Sequence, residues 1–564
     1  MTENTPTREV RSEYDGQTVR AKSVLSPEGF PVRALVKLYP KRIIPIVFIP
    51  GIMGTNLRVK NGKGHAWRPP NGKLAGLVQV IQYLGKDAAA RKKVLHPDRV
   101  EVDADGPVGL TSKVEKQLKG APDLDPEKLA RLFGWGELHR DSYGRILNTL
   151  QERLHDILKI DGTPDDAWVQ LVLEQQKIHQ FGAEKSFEEI TPDDLKRFAN
   201  AAYPVHAVGY NWLQSNNVSV LRLVEKIDAI TDFYKSTLNK DCEKVILITH
   251  SMGGLVARAC TQLQGKSDKV LGVLHGVMPA IGAPATYKRM RAGFEGVEQV
   301  LLGRNAAEAT AVLTQAPGPM ELLPTAEYQA KLPGGAQHWL RAHYSREKIP
   351  ENEVTSFLGQ GDPYDQVYLN KADWWRLVKS ELINPLNEDR STERNQSTSS
   401  TTDADYADPD FANYSKALLV AQEFHKRIKG QYHENCHAYY AADTAQSAWG
   451  EVRWAAKTAV PDFVQGELIH DDLNGAVKVK FGEQICALEI AGPDIPGDGT
   501  VPELSGQAPK PFVRQIFRHE GKRKGHVSYD HQGSYSNDLT AGLTLYSIVK
   551  LTLNSGILDE VNNA

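Results

Sequence analysis

The chain has little cysteine and no long apolar run, and each absence narrows what it can be. Its four cysteines (Cys242, Cys260, Cys436 and Cys486) are scattered through 564 residues without C-x-x-C or finger-like spacing. That implies no disulfide framework and no metal-finger site, while leaving room for one bridge. Nowhere do about 18 apolar residues follow one another, so no membrane-spanning helix is expected. The opening Met1-Thr-Glu-Asn-Thr-Pro-Thr-Arg lacks the apolar centre of a secretory signal. The expectation is synthesis in the cytoplasm and, for action outside, export by a route that reads no cleavable signal. Net charge is also small: −3 gives no electrostatic argument for nucleic-acid binding. What is present, 41% hydrophobic residues with a mean hydropathy of −0.42, describes a soluble globular protein. The length allows three or four domains, or one core with long insertions.

Thr249-His250-Ser251-Met252-Gly253-Gly254 carries the most information. Before it, Val245-Ile246-Leu247-Ile248 reads as a buried strand, and Leu255–Cys260 after it reads as the start of a helix. A serine on a sharp strand–turn–helix junction is the context of a nucleophile elbow, where the turn strains the Ser backbone and exposes its Oγ. Gly253 removes a Cβ where helix and strand pass closely. Thr249 stands where the usual G-x-S-x-G pattern has glycine; it is small and suits a strand end.

Further strands are expected at Ile43–Ile49, Pro204–Tyr210, Val270–Leu274 and Cys436–Ala441, with an amphipathic helix over Leu221–Tyr234. This alternation predicts an α/β-hydrolase fold, a mostly parallel sheet with helices on both faces and a helical cap insertion. Residues 1–40 read as an N-terminal arm laid over the surface. Residues 41–285 form the first part of the core, with a helical insertion at about 75–200. Residues 286–430 form a cap or lid of helices without strands, and residues 431–564 complete the core. Within the cap, Asn387–Asp410 is polar enough to predict a mobile loop. Gly466–Ile490 reads as a β-hairpin, and a last helix is expected at about 537–553. The cap aromatics Trp339, Phe357, Trp374 and Trp375 could dock on a membrane or pack on the core. Neighbours on a helix diverge by about 100°, so both members of the Trp374-Trp375 pair should not face inward.

A serine nucleophile needs a base and an orienting acid, in the chain order Ser, Asp/Glu, His for this fold. Asp498 lies on the Gly497-Asp498-Gly499-Thr500 turn, and Asp443 at the end of the Cys436–Ala442 strand is its rival. For the base, His531 precedes the last helix, while His526 sits in a Lys/Arg-rich loop. His250 is read as packing, because strand neighbours point to opposite faces. His275 is read as structural, with a pocket-lining role as the alternative. The oxyanion needs aimed donors: the Met252 amide, and the amide of Met53 or Ile52 in the Pro50–Gly54 loop. No metal or cofactor is called for.

Pro50–Leu57, Tyr210-Asn211-Trp212, the His250–Gly254 elbow and Gly497–Pro502 occur here in the order found in lecithin:cholesterol acyltransferase-like lipases. That resemblance implies Asp498, not Asp443, as the acid. Thr249–Gly253, His275–Ala280 and Asp530-His531-Gln532-Gly533-Ser534-Tyr535 resemble more closely the third family of type VI secretion lipase effectors, antibacterial phospholipases injected into competitor bacteria. The likeness spans roughly 40–285 and 415–550. It implies a membrane glycerophospholipid substrate and hydrolysis of the phospholipase A type. It also implies a spike, tube or adaptor protein for delivery, a cognate immunity protein, and action at the periplasmic membrane surface of the target cell. From the residues alone the chemistry is acyl transfer, so an esterase or acyltransferase on a non-membrane ester is the alternative.

Overall fold

Val245-Ile246-Leu247-Ile248 is buried at every position, as a strand covered on both faces must be. In the computed structural model it is the centre of a six-stranded parallel sheet. Its strands are Ile46–Ile49 (β1), Val205–Ala207 (β2), Val245–His250 (β3), Val270–Gly276 (β4), Cys436–Ala441 (β5) and Gln515–His519 (β6), in the order β2-β1-β3-β4-β5-β6. The structure describes residues 40–62, 64–71, 87–119, 125–159, 161–296, 299, 302–329, 339–344, 354–359, 361–385, 408–460, 462–521 and 527–559, with four short strands between 7 and 36.

Alternate strand residues feed two apolar cores. Val47, Ile49, Val245 and Leu247 pack with the helices Asn216–Asp232 (α2), Gly253–Gln262 (α3) and Pro409–Ile428 (α4). Ile46, Phe48, Ile246 and Ile248 face the other way, against Arg140–His155 (α1) and Asp538–Asn554 (α5). The period-2 alternation of a strand therefore places helices on both faces. α2 starts earlier than Leu221 because Ser215 caps it, accepting the Asn217 amide at 3.2 Å. The last helix falls where its apolar residues predict it.

The cap differs from its expected form. Leu340–Tyr344 and Val354–Ser356 are strands, and with Val452–Ala456, Glu467–Asp471, Ala476–Phe481 and Gln484–Ile490 they build a second six-stranded sheet. Leu340–Tyr344 pairs in parallel with Val452–Ala456, more than a hundred residues on. Residues 286–430 are thus not helices alone, and part of 431–564 belongs to this second sheet. Gly466–Ile490 holds three antiparallel strands, not one hairpin. The inserted region also contributes Val100–Val102 to a three-stranded sheet with Leu57–Val59 and His65–Trp67.

The four cap aromatics are core residues: Trp339 and Trp374 are fully buried, and Trp375 and Phe357 nearly so. The chain around Trp374-Trp375 forms turns, so helical divergence does not govern it. Trp375 stacks on Phe357, Trp374 meets the edge of Trp454, and the Trp374 indole N–H donates to the Phe463 carbonyl at 2.8 Å. Of the expected mobile loop, residues 387–407 lie outside the described residues, as does His526. Asp408 caps α4 and Asp410 is already helical. All four cysteines are free and buried. No helix among the described residues is long and apolar enough to cross a membrane.

Candidate active site

In an open parallel sheet the strands' carboxyl ends converge on one edge, where ligands bind. Here β3 ends at His250 and hands over to α3 through Ser251. The Ser251 backbone is left-handed (φ 52°), a conformation that costs a non-glycine residue energy and is held only when the surroundings over-determine it. The surroundings are tight. A Cβ on Gly253 would stand 2.4 Å from the Pro50 carbonyl oxygen, and one on Gly51 would stand 2.9 Å from the Ser251 Cβ. The Ser251 amide donates to the Gly276 carbonyl at 2.8 Å, fixing the elbow against β4.

His531 Nε2 lies 2.8 Å from Ser251 Oγ, and His531 Nδ1 lies 2.7 Å from Asp498 Oδ2. The other carboxylate oxygen of Asp498 accepts the amides of Thr500 (3.1 Å) and Val501 (2.7 Å). Gly499, at φ 85°, lets the chain turn back to present those amides. Asp498 is buried, and a carboxylate there is tolerated because both oxygens are partnered. Since the carboxylate accepts at Nδ1, the imidazole carries its proton there and offers Nε2 as acceptor to the serine hydroxyl.

Asp443 is elsewhere. It pairs across the backbone with Gly497, its Oδ1 accepts the Ala445 amide at 2.9 Å, and its carboxylate lies over Gly521. His275 is buried against Tyr432 with no ring nitrogen hydrogen-bonded, and burial holds its pKa down to about 3. It packs against the Tyr432 ring.

The loop after β1 comes directly against Ser251. A turn closed by Gly54 N–H donating to the Gly51 carbonyl (3.1 Å) puts Met53 at φ 63°, and the Trp67 indole N–H holds the Met53 carbonyl at 2.7 Å. The Gly51 amide donates to Tyr143 Oη at 3.0 Å. Among the described residues none accepts from the amides of Ile52, Met53 or Met252. Unspent amides beside a serine hydroxyl are what a tetrahedral oxyanion requires.

Tyr143 and His250 are the neighbours that sequence reasoning missed. His250 uses both ring nitrogens, Nδ1 toward Tyr143 Oη (2.9 Å) and Nε2 toward the His531 carbonyl (3.0 Å). Burial, followed by the adjacent His531, lowers its pKa to about 3, so the ring is neutral. Its place beside the nucleophile was the only available signal; Tyr143, on α1, had none. Among the described residues no group of three or more His, Cys, Asp or Glu side chains could hold a metal ion.

Residues 205–314, which contain β2, the elbow and β4, match the family model described as a PGAP1-like alpha/beta domain. Most of the chain is similar to a chain in a crystal structure described as the Tle4-Tli4 complex. The identity is 31% and the TM-score 0.75, covering 90% of this chain and 98% of the other. None of the curated proteins matches in sequence.

Proposed function

This chain belongs to the type VI secretion lipase effectors built on a PGAP1-like α/β-hydrolase domain, and from that premise we propose that Ser251, His531 and Asp498 hydrolyse glycerophospholipid esters. The similar structure is that of Tle4, whereas the motifs point to the third of these effector groups. The observation that carries the proposal is the unbroken Ser251–His531–Asp498 chain on a serine held at φ 52°.

In the reaction Ser251 Oγ attacks the acyl carbonyl carbon as its proton passes to His531 Nε2. The carbonyl oxygen takes up the displaced electron pair and is held by the Met252 amide with that of Met53 or Ile52. Asp498 stabilises the imidazolium and keeps its orientation. Collapse breaks the ester C–O bond, and His531 returns its proton to the departing lysophospholipid alcohol. Water, deprotonated by His531, then attacks the acyl carbonyl, and the proton passes from His531 to Ser251 Oγ as the fatty acid leaves. No step calls for a metal or cofactor.

The partners follow the relative. Tle4 is crystallised in complex with Tli4, and a cognate immunity protein is the corresponding partner here. Delivery by a type VI spike, tube or adaptor and action at the target cell's periplasmic membrane surface complete the proposal. The test is incubation with phospholipid vesicles and mass spectrometry of the products. Lysophospholipid and free fatty acid in equal amounts support it. Turnover of short soluble esters with intact vesicle lipid would favour an esterase or acyltransferase.

A further inference from the structure

We propose that Tyr143 and His250 are positioning residues that tie the oxyanion loop to the loop carrying the general base. The inference rests on the catalytic reading of Ser251, His531 and Asp498. Its basis is one chain of hydrogen bonds running around the nucleophile, buried from Gly51 to His250 and part-buried at its His531 end. Gly51 N–H donates to Tyr143 Oη at 3.0 Å, Tyr143 Oη lies 2.9 Å from His250 Nδ1, and His250 Nε2 lies 3.0 Å from the His531 carbonyl oxygen.

The proton positions follow from chemistry. A carbonyl oxygen only accepts, so His250 Nε2 carries the hydrogen. A neutral imidazole then has a bare Nδ1, which takes the tyrosine O–H. The tyrosine oxygen keeps a lone pair for the Gly51 amide. Every donor in the chain has an acceptor, and each group has one role.

Each end holds a working part. His531 is clamped at both sides of its residue: its amide donates to the Asp498 carbonyl at 2.7 Å and its own carbonyl is held by His250. With both fixed, the imidazole meets Ser251 Oγ without searching. At the other end, Tyr143 occupies the Gly51 amide and leaves the next two amides of the loop for substrate. A Cβ on Gly54 would stand 2.6 Å from Tyr143 Oη, so the loop wraps the hydroxyl itself. Apolar side chains could fill the same volume, but they could not fix where the His531 carbonyl and the Gly51 amide point. Tyr143 comes from α1, so the helical insertion contributes directly to the alignment of the site.

Misplacement of about 1 Å can cost on the order of a hundred-fold in rate. Tyr143→Phe keeps the ring and removes the hydroxyl. With a short soluble ester it is expected to lower kcat ten- to a hundred-fold, by about that rule, while KM stays within roughly two-fold. His250→Leu should act alike, and the double variant should be little worse than either, since both break one chain. His250→Gln, whose amide offers a donor and an acceptor, should recover part of the loss. Leu150→Ala, a buried site on the same helix, controls for packing and should lower Tm with little change in kcat. Wild-type kcat in Tyr143→Phe, or an equal fall in kcat in Leu150→Ala, would overturn the proposal. Retained turnover in Ser251→Ala would instead defeat the underlying catalytic reading, so the two failures are distinguishable.

Discussion

Asp498 grips His531 twice: its carboxylate accepts the ring Nδ1–H at 2.7 Å and its backbone carbonyl accepts the His531 amide at 2.7 Å. The acid therefore sets both the tautomer and the loop that carries the ring. Asp498→Asn keeps the shape but can stabilise the wrong tautomer. Turnover should fall roughly ten-thousand-fold, as in the serine-protease triad. Asp443→Asn, outside this geometry, should cost far less; ester turnover of the two variants checks the assignment.

Gly51→Ala tests how closely the oxyanion loop approaches the elbow. The new methyl would stand 2.7 Å from His250 Nδ1 and 2.9 Å from the Ser251 Cβ. Overpacking of this kind typically costs about 1–3 kcal/mol, and here the loop must move away from the serine. A lowered Tm with a disproportionate loss of kcat is expected, read by thermal melting beside ester turnover.

Trp374→Ala should behave as a core deletion. Loss of a buried tryptophan costs about 3–5 kcal/mol, and the freed Phe463 carbonyl adds to the disturbance. The expected result is a lowered Tm with equal proportional losses on vesicles and on a soluble ester. A selective loss on vesicles would restore a docking role for this side chain.

Glu321 supplies a pH dependence. It is fully buried at the start of α2, where its carboxylate oxygens accept the Ser215 hydroxyl at 2.6 Å and the Asn216 amide at 3.0 Å. Burial outweighs those bonds and raises its pKa to about 8. From about pH 4.5, the usual glutamate value, up to about 8 the folded protein keeps a proton that the unfolded chain has released, so stability falls as pH rises through that window. Glu321→Gln should flatten this part of the profile, measured as Tm at pH 5, 6, 7 and 8.

What could be read in advance follows from the range of the interactions. The elbow at Ser251 is legible because the change from strand to helix periodicity is local, whereas the Gly-flanked turn at Asp498 leaves Asp443 as a rival that only the family resemblance sets aside. The second sheet is not legible, because Leu340–Tyr344 finds its partner at Val452–Ala456, and a short strand of mixed polarity does not announce a distant mate. Trp374 and Trp375 depart from the helical expectation because the chain turns there. Tyr143 looked like any apolar position of α1; only the fold brings its hydroxyl under Gly51.

The most direct test is to treat the full-length protein with a fluorophosphonate and locate the adduct by peptide mass spectrometry. A single modification on Ser251, abolished in Ser251→Ala together with lipase activity, is the expected result; turnover should fall on the order of a million-fold. An adduct on another residue, or a Ser251→Ala variant that keeps a tenth of its activity, would contradict the assignment of Ser251 as nucleophile.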